Sequence, residues 1–337
     1  MINVPPIFLD KERQKLFEKQ GFLVIENFLN PEEIQHMDKL FDALHPELPD
    51  SGFFAGSYSS DMDYKKKVSE EIKVVYKRAY EENFTHYTPF GGAYLFKISS
   101  PNSDLFVHQD WTVVDESKHL ALNIWVPLCD ITPENGPLMV LPGSHYPNFP
   151  ILRAPTMRYF FDHDYERVMP QLVPLIVKAG TAVVLSQSLV HYSPPNTSGK
   201  IRKAITAGLK TKDAQMIFYF KDPQKNNNQI EKFEMDDDFF IHFENFFEDI
   251  YKRPTVGKSI GFIEYEVPML KGEALEKVVK AMKEKAGFEY IEPAKTESVP
   301  AQEQAQIETQ NRSKEPFWKV YTPLNILREI IFRLTGN

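Results

Sequence analysis

The sequence predicts a mainly β protein, a barrel or jelly roll, with helices at its N-terminus. Stretches with helical periodicity fill the first ninety residues, whereas residues from about 92 to 212 form short runs rich in Val, Ile, Leu and aromatic residues. Pro, Gly, Asn and Asp separate those runs, as in TPENGP and SPPNTSGK. Many short strands between such turn signals are typical of barrels and jelly rolls rather than of alternating βαβ units.

The bulk composition narrows the class of protein. A chain of 337 residues is long enough for one or two domains with a large core. Its net charge of −8 argues against unaided nucleic-acid binding, which usually needs a basic face. Cys129 is the single cysteine, so no intramolecular disulfide is expected. With no apparent signal peptide at the start and no run of about 18 apolar residues, we expect a cytoplasmic protein.

The N-terminal elements follow from local signals. DKERQKLFEKQGF predicts a short charged helix that ends near Gly21, and FLVIENF predicts a strand after it. Asn30, Pro31 and Glu33 stand where an N-cap, a first helical residue and a capping-box partner belong, so a helix is expected to start there. KKKVSEEIKVVYKRAYEENF predicts a second, longer amphipathic helix.

Strands and a C-terminal region complete the prediction. The expected strands are AYLFKIS, HLALNIWVPL, PLMVLPGS, LVPLIV, TAVVLSQ and KAITAGLKT, which give a core at roughly residues 90–212 of a domain spanning 1–291. The acidic stretch EKFEMDDDFFIHFENFFEDI is expected to be a solvated helix whose phenylalanines face the core. Residues 292–315 are polar and predict a disordered linker. Residues 316–337 predict an amphipathic helix, whose apolar stripe at 317–334 could pack back, bind a carrier protein or lie on a membrane surface.

The stretch VHQDW suggests a metal site. Residues i and i+2 of a strand point to the same face, so His108 and Asp110 are expected to converge on one point. The pattern alone is weak, because chance His-x-Asp pairs are common in a chain with nine histidines. A metal also needs a third ligand on another strand, and four histidines are candidates: His119, His145, His163 and His191.

His191 is the preferred third ligand, because it stands at the end of the apolar run TAVVLSQSLVH. Arg202 follows eleven residues later, on a strand expected to return antiparallel beside it. Two imidazoles and a carboxylate are the ligands of non-haem Fe(II) oxygenases, and a guanidinium fork can hold the distal carboxylate of 2-oxoglutarate. The hydroxyl of Ser193 is expected close by. The plainer alternatives are a hydrogen-bonded rim histidine and a surface arginine.

Several stretches resemble the phytanoyl-CoA dioxygenase family of Fe(II)/2-oxoglutarate oxygenases: VHQDW, NIWVPLCDITPENGPLMVLPGSH, LVHYSPPNTSGKIRKAI and the N-terminal FEKQGFLVIENFLNPEEI. The likeness covers roughly residues 10–210. It implies a double-stranded β-helix (a cupin-like jelly roll) with N-terminal helices packed on it. It also implies that His108, Asp110 and His191 are the catalytic iron ligands, and that Arg202 and Ser193 clamp 2-oxoglutarate.

The resemblance extends to other residues of the site. It implies that Trp125 lines the co-substrate site, with Lys97, Asn123 and Gln109 as further candidates. Relatives that halogenate carry a small residue at the carboxylate position, so the presence of Asp110 favours hydroxylation of a small organic substrate. Residues 45–70 and the region after residue 212 are expected to set the specificity. The alternative is a cupin-like isomerase or binding module, with or without a metal, that does not use 2-oxoglutarate.

Overall fold

A computed structural model describes residues 6–145, 152–225 and 227–288. The helices are α1 (Lys11–Gln20), α2 (Pro31–Leu44), α3 (Met62–Asn83), α4 (Phe246–Asp249) and α5 (Gly272–Ala286). The strands are β1 (Phe22–Ile25), β2 (Phe53–Ala55), β3 (Tyr87–Lys97), β4 (Leu105–His108), β5 (Ala121–Pro127), β6 (Leu138–Val140), β7 (Val173–Leu175), β8 (Ala182–Ser186), β9 (His191–Ser193), β10 (Arg202–Thr211), β11 (Met216–Phe220), β12 (Gln229–Met235) and β13 (Lys258–Glu264).

The strands form two facing sheets and a third, smaller one. The major sheet has the order β1-β8-β5-β10-β3-β2, and the minor sheet has the order β4-β9-β6-β7. Strands β11, β12 and β13 form the third sheet, and every pair of neighbouring strands in the described residues is antiparallel. Apolar side chains from both large sheets meet in one interior cluster, among them Trp125, Leu138 and Val183. This architecture confirms the predicted jelly roll.

The N-terminal helices cover the outer face of the major sheet. Asn30 caps α2 in a capping box with Glu33, and α1 ends at Gly21, as the sequence predicted. The buried cluster on this face joins Met37 of α2 and Ile72 of α3 to apolar residues of β5, β8 and β10. Since β5 and β10 present alternate residues to the helices, their other residues are free to face the interior between the sheets.

The acidic stretch at residues 231–250 is not the helix that the sequence predicted. Its first part belongs to strand β12, in which Ile230, Phe233 and Met235 are buried and which pairs with β11 and β13 on either side. A 3₁₀ turn at Phe239–Ile241 and the four-residue α4 follow. Pairing on both edges of β12 outweighs the helical appearance of the sequence. Phenylalanines of this stretch nevertheless contribute to a core, as expected.

Two expectations about strand neighbours were also wrong. His191 does not end β8; a turn after Ser186 carries the chain from the major sheet to the minor sheet, where His191 begins β9. Arg202 does not lie beside that strand, because β10 is inserted between β3 and β5 in the major sheet. Arg202 and His191 therefore belong to different sheets.

Other predictions lie outside the part of the chain that the structure describes. They are the linker at 292–315 and the helix at 316–337. Among the described helices, none combines the length and the apolar character that a membrane span requires.

Candidate active site

Three potential metal ligands meet where β4 ends and β9 begins. His108 is paired with His191 in the register of these strands, and their ring centroids are 4.1 Å apart. Oδ1 of Asp110 lies 3.8 Å from Nε2 of His108 and 3.9 Å from Nε2 of His191. Within the described residues, this is the one group of three such side chains that could hold a metal ion.

Backbone contacts set the orientation of both imidazoles. Nδ1 of His108 lies 2.7 Å from the carbonyl oxygen of Phe106, and Nδ1 of His191 lies 2.9 Å from that of Leu189. A carbonyl only accepts, so Nδ1 carries the proton in each ring and Nε2 keeps a lone pair directed at Asp110. Burial, and then the neighbouring His191, lower the pKa of His108. The neutral ring that results is the form that binds a metal.

Asp110 is held at its side-chain carboxylate and at its backbone carbonyl. Nδ2 of Asn123 donates to its Oδ2 over 3.1 Å, and the hydroxyl of Thr206 donates to the side-chain oxygen of Asn123. Nε of Arg153 donates to the backbone carbonyl of Asp110 over 2.7 Å, while its guanidinium pairs with Glu116. These contacts leave Oδ1 facing the two histidines. Hydrogen bonds of this kind orient metal ligands in proteins.

Arg202 is a buried cation that pairs with no anion among the described residues. It is 2% exposed, and its guanidinium carbon lies 5.6 Å from the centre of the Trp125 ring. In the described part of the chain, its Nε and Nη1 have no hydrogen-bond partner. Burial lowers the pKa of Arg202 to about 10, so it remains charged at neutral pH. An unpaired buried charge is costly, and such a site favours an anionic ligand.

Lys97 and Ser193 lie beside Arg202. Lys97 is fully buried and directly opposite Arg202 in the β3–β10 register, and its Nζ donates to the carbonyl oxygens of Ser193 (2.9 Å) and Pro194 (2.5 Å). Burial, and then the charge of Arg202, lower the pKa of Lys97. The Ser193 hydroxyl donates to the carbonyl oxygen of Gly136 over 3.0 Å. The structure thus brings Lys97, Arg202, Trp125 and Ser193 together, but the Ser193 proton is already engaged.

The remaining residues that the sequence suggested for the site have other partners. The Gln109 side chain donates to the carbonyl oxygen of Ser188 over 2.5 Å, which ties β4 to the turn before β9. Nε2 of His145 contacts the carbonyl oxygen of Glu18, and Nε2 of His163 contacts Arg158. His119 is not part of the metal-binding group.

Sequence reasoning missed Thr206 and Arg153. Thr206 is four residues from Arg202 on β10, so strand alternation places both on one face, and that signal could have found it. Nothing in the sequence near Arg153 signals its contact with Asp110.

A family comparison agrees with this geometry. Residues 17–204, more than half of the chain, match the family model described as "Phytanoyl-CoA dioxygenase (PhyH)". The chain belongs to the phytanoyl-CoA dioxygenase family. It is therefore an Fe(II)- and 2-oxoglutarate-dependent oxygenase. The His–Asp–His group and the unpaired Arg202 fit the metal and the dianionic co-substrate of this enzyme class.

Individual relatives are distant in sequence. The "Phytanoyl-CoA dioxygenase domain-containing protein 1 homolog" of Dictyostelium discoideum is 26% identical over 270 residues, which are 62% of this chain and 94% of the relative. The peroxisomal phytanoyl-CoA dioxygenase of Mus musculus is 26% identical over 65% of this chain and 73% of its own length. A crystal structure of HygX from Streptomyces hygroscopicus with nickel and 2-oxoglutarate is similar at 20% identity and a TM-score of 0.41, covering 60% of this chain and 86% of that one.

Proposed function

We propose that this member of the phytanoyl-CoA dioxygenase family is a hydroxylase of a small organic substrate. Iron would be held by His108, Asp110 and His191, and the distal carboxylate of 2-oxoglutarate would pair with Arg202. The observation that carries the proposal is the buried Arg202 guanidinium, which lacks an anion within the described residues. A cupin-like isomerase has no need of such a charge.

When bound, iron and 2-oxoglutarate would supply the oxidative chemistry: the co-substrate and O₂ would give succinate and CO₂, and one oxygen atom would enter a C–H bond of the substrate. The chain's own residues would orient the metal ligands and neutralise the charge of the co-substrate. The carbonyl oxygens of Phe106 and Leu189 keep the proton on Nδ1 of each imidazole, so both Nε2 atoms would offer a lone pair to the iron. Asn123 leaves one oxygen of Asp110 for the metal.

At the other end of the co-substrate, Arg202 would supply the fork that a carboxylate binds bidentately. Trp125 supports the guanidinium from one side. Lys97 lies beside Arg202, but its Nζ already donates to two carbonyl oxygens, so a direct contact with the co-substrate would require one of these hydrogen bonds to break. Ser193 could join the clamp only if its hydroxyl released Gly136.

Anaerobic titration with Fe(II) and 2-oxoglutarate tests this proposal. We expect the weak visible charge-transfer band that arises when 2-oxoglutarate chelates Fe(II). The band should be lost in His108→Ala, and in Arg202→Ala it should require far more 2-oxoglutarate. The exposed Arg158→Ala is the matched control. Metal binding without the band would support a cupin-like enzyme that lacks 2-oxoglutarate chemistry, and no metal binding would support a binding module.

The predicted contact of residues 317–334 with a carrier protein or membrane surface is a separate proposal. Its support is the apolar stripe in the sequence alone, because these residues lie outside the described part of the chain. Deletion of residues 316–337 should weaken liposome or carrier binding while the charge-transfer band persists. Unchanged binding would refute it.

A further inference from the structure

Two regions distant in sequence meet beside the metal ligands. The Tyr58 ring lies 4.7 Å from both Phe246 and Phe247 between centroids. Trp111, the residue after Asp110, is stacked nearly parallel to Phe246 at 5.9 Å. Phe240 and Phe243 contact Trp111 from the same segment. We call Tyr58, Trp111, Phe240, Phe243 and Phe246 the aromatic wall.

The aromatic wall adjoins the candidate metal ligands through Trp111, and the Asp110 carboxylate also acts on Tyr58 and Tyr159. Burial, with a contribution from the Asp110 carboxylate, raises the pKa of Tyr58 to about 12. Burial and then the carboxyl group of Asp162 raise the pKa of Tyr159, and Asp110 and Tyr251 add smaller contributions in the same direction. No hydrogen bond from the described residues engages the hydroxyls of Tyr58, Tyr159 or Tyr251. These phenols are therefore free to donate to a ligand.

The segment that supplies most of the aromatic wall is acidic. Residues 236–251, DDDFFIHFENFFEDIY, contain six acidic residues and no lysine or arginine. The lysines that contact the segment are already engaged. Lys65 donates to the carbonyl oxygen of Phe243 over 2.5 Å. Ion pairs join Lys73 to Asp238 (3.7 Å), Lys210 to Asp237 (3.3 Å) and Lys252 to Glu248 (3.1 Å).

The charges at this side of the site have a consequence for the substrate. A coenzyme A thioester carries several phosphate charges, and recognition of phosphate calls for available lysine or arginine donors. An acidic segment with engaged lysines opposes such a ligand. Aromatic rings and free hydroxyls instead favour a substrate that has an apolar face and a few hydrogen-bonding groups.

We propose that the substrate is a phosphate-free molecule, neutral or cationic, that lays an apolar face on the aromatic wall and offers oxygen or nitrogen acceptors to Tyr58, Tyr159 and Tyr251. This inference rests on the proposed function, because it places the substrate next to the iron that His108, Asp110 and His191 would hold.

Matched thioesters test the charge requirement. The same acyl groups are presented as coenzyme A thioesters and as uncharged N-acetylcysteamine thioesters, beside a panel of phosphate-free cyclic and aryl alcohols. Binding is measured as a perturbation of the Fe(II)–2-oxoglutarate charge-transfer band in the full-length protein. We expect phosphate-free members to bind at least tenfold more tightly than any coenzyme A thioester.

Variants link the binding to the aromatic wall. Phe246→Ala and Tyr251→Phe should each weaken binding of the best phosphate-free probe about tenfold while the band itself is unchanged. The double variant Glu244→Lys/Glu248→Lys should reduce the difference in affinity between coenzyme A thioesters and uncharged thioesters. Glu273→Lys on α5 is the control and should leave that difference unchanged. Tighter binding of coenzyme A thioesters, or no phosphate-free binder in the panel, overturns the inference. Absence of the band before any probe is added overturns the proposed function instead.

Discussion

The side-chain amide of Asn123 donates a 3.1 Å hydrogen bond to Oδ2 of Asp110, so the two carboxylate oxygens have different partners. Oδ2 is bound to the β5 strand, while Oδ1 faces Nε2 of His108 and His191 at 3.8 and 3.9 Å. The hydroxyl of Thr206 holds the Asn123 amide in turn. A chain of contacts from β10 through β5 therefore orients a metal ligand that lies beyond the end of β4.

Asn123→Ala should lower the affinity for Fe(II) by about 10- to 100-fold, the range typical for loss of a group that orients a metal ligand. The physical reason is that the Asp110 carboxylate gains rotational freedom. Anaerobic metal titration measures the effect. Asn102→Ala is the control, because its amide donates to Ser51 at the surface. Equal affinity in both variants would show that Asp110 needs no support.

Arg202→Met should separate stability from co-substrate binding. The wild-type protein buries a guanidinium whose Nε and Nη1 have no hydrogen-bond partner among the described residues. Without 2-oxoglutarate, the variant should therefore have a free energy of unfolding higher by at least about 1 kcal/mol. A 100-fold excess of 2-oxoglutarate over its Kd should stabilise the wild type by about 2.7 kcal/mol and leave the variant unchanged. Denaturant unfolding measures both quantities. A variant that is less stable and still responds to 2-oxoglutarate would contradict the role of Arg202.

Two glycines with the same backbone angle allow a matched test of the Lys97 environment. Gly136 and Gly199 both have φ of +77°. A Cβ at Gly136 would lie 2.6 Å from the carbonyl oxygen of Pro194 and 3.1 Å from Cδ of Lys97, whereas a Cβ at Gly199 would meet nothing within 4 Å.

Both alanine variants therefore incur the backbone strain of about 1 kcal/mol, but Gly136→Ala should be less stable by a further 1–3 kcal/mol or so. It should also weaken 2-oxoglutarate binding, because Lys97 and the Pro194 carbonyl must shift beside Arg202. Thermal unfolding and the charge-transfer titration report these effects. Equal losses in the two variants would mean that the contacts at Gly136 relax freely.

Asp162 should make stability fall as the pH rises. Burial raises the pKa of its carboxyl from 3.8 to about 6 in the folded protein. The unfolded chain therefore releases its proton first, so the free energy of unfolding declines between about pH 4 and 6 and stays lower above that range. Asp162→Asn keeps an acceptor for the Tyr159 amide and removes this loss.

The stabilisation by Asp162→Asn should be near zero below pH 4 and at most about 3 kcal/mol at pH 7, from the pKa difference at 1.36 kcal/mol per unit. Urea unfolding at the two pH values measures it, with the exposed Asp213→Asn as control. A stabilisation that did not change with pH would locate the effect in packing rather than in ionisation.

Local patterns accounted for much of the fold. The cap at Asn30, the end of α1 at Gly21 and the closeness of His108 to Asp110 each depend on residues within a few positions of one another. Such signals can be read along the chain. The expected strand does not reach Asp110, however, because β4 ends at His108. The stretch at residues 231–250 shows where such signals fail, because β12 became a strand through pairing with β11 and β13 rather than through its own preference.

The sequence by itself therefore determined the jelly-roll class, the family and the candidate metal ligands, because these depend on local patterns and motifs. Only the tertiary structure decided that β10 lies between β3 and β5, that Asn123 and Thr206 support Asp110, and that Tyr58 meets Phe246. The reason is physical: these contacts join residues far apart in the chain. They exist only once the packing of two sheets has selected each strand's neighbours.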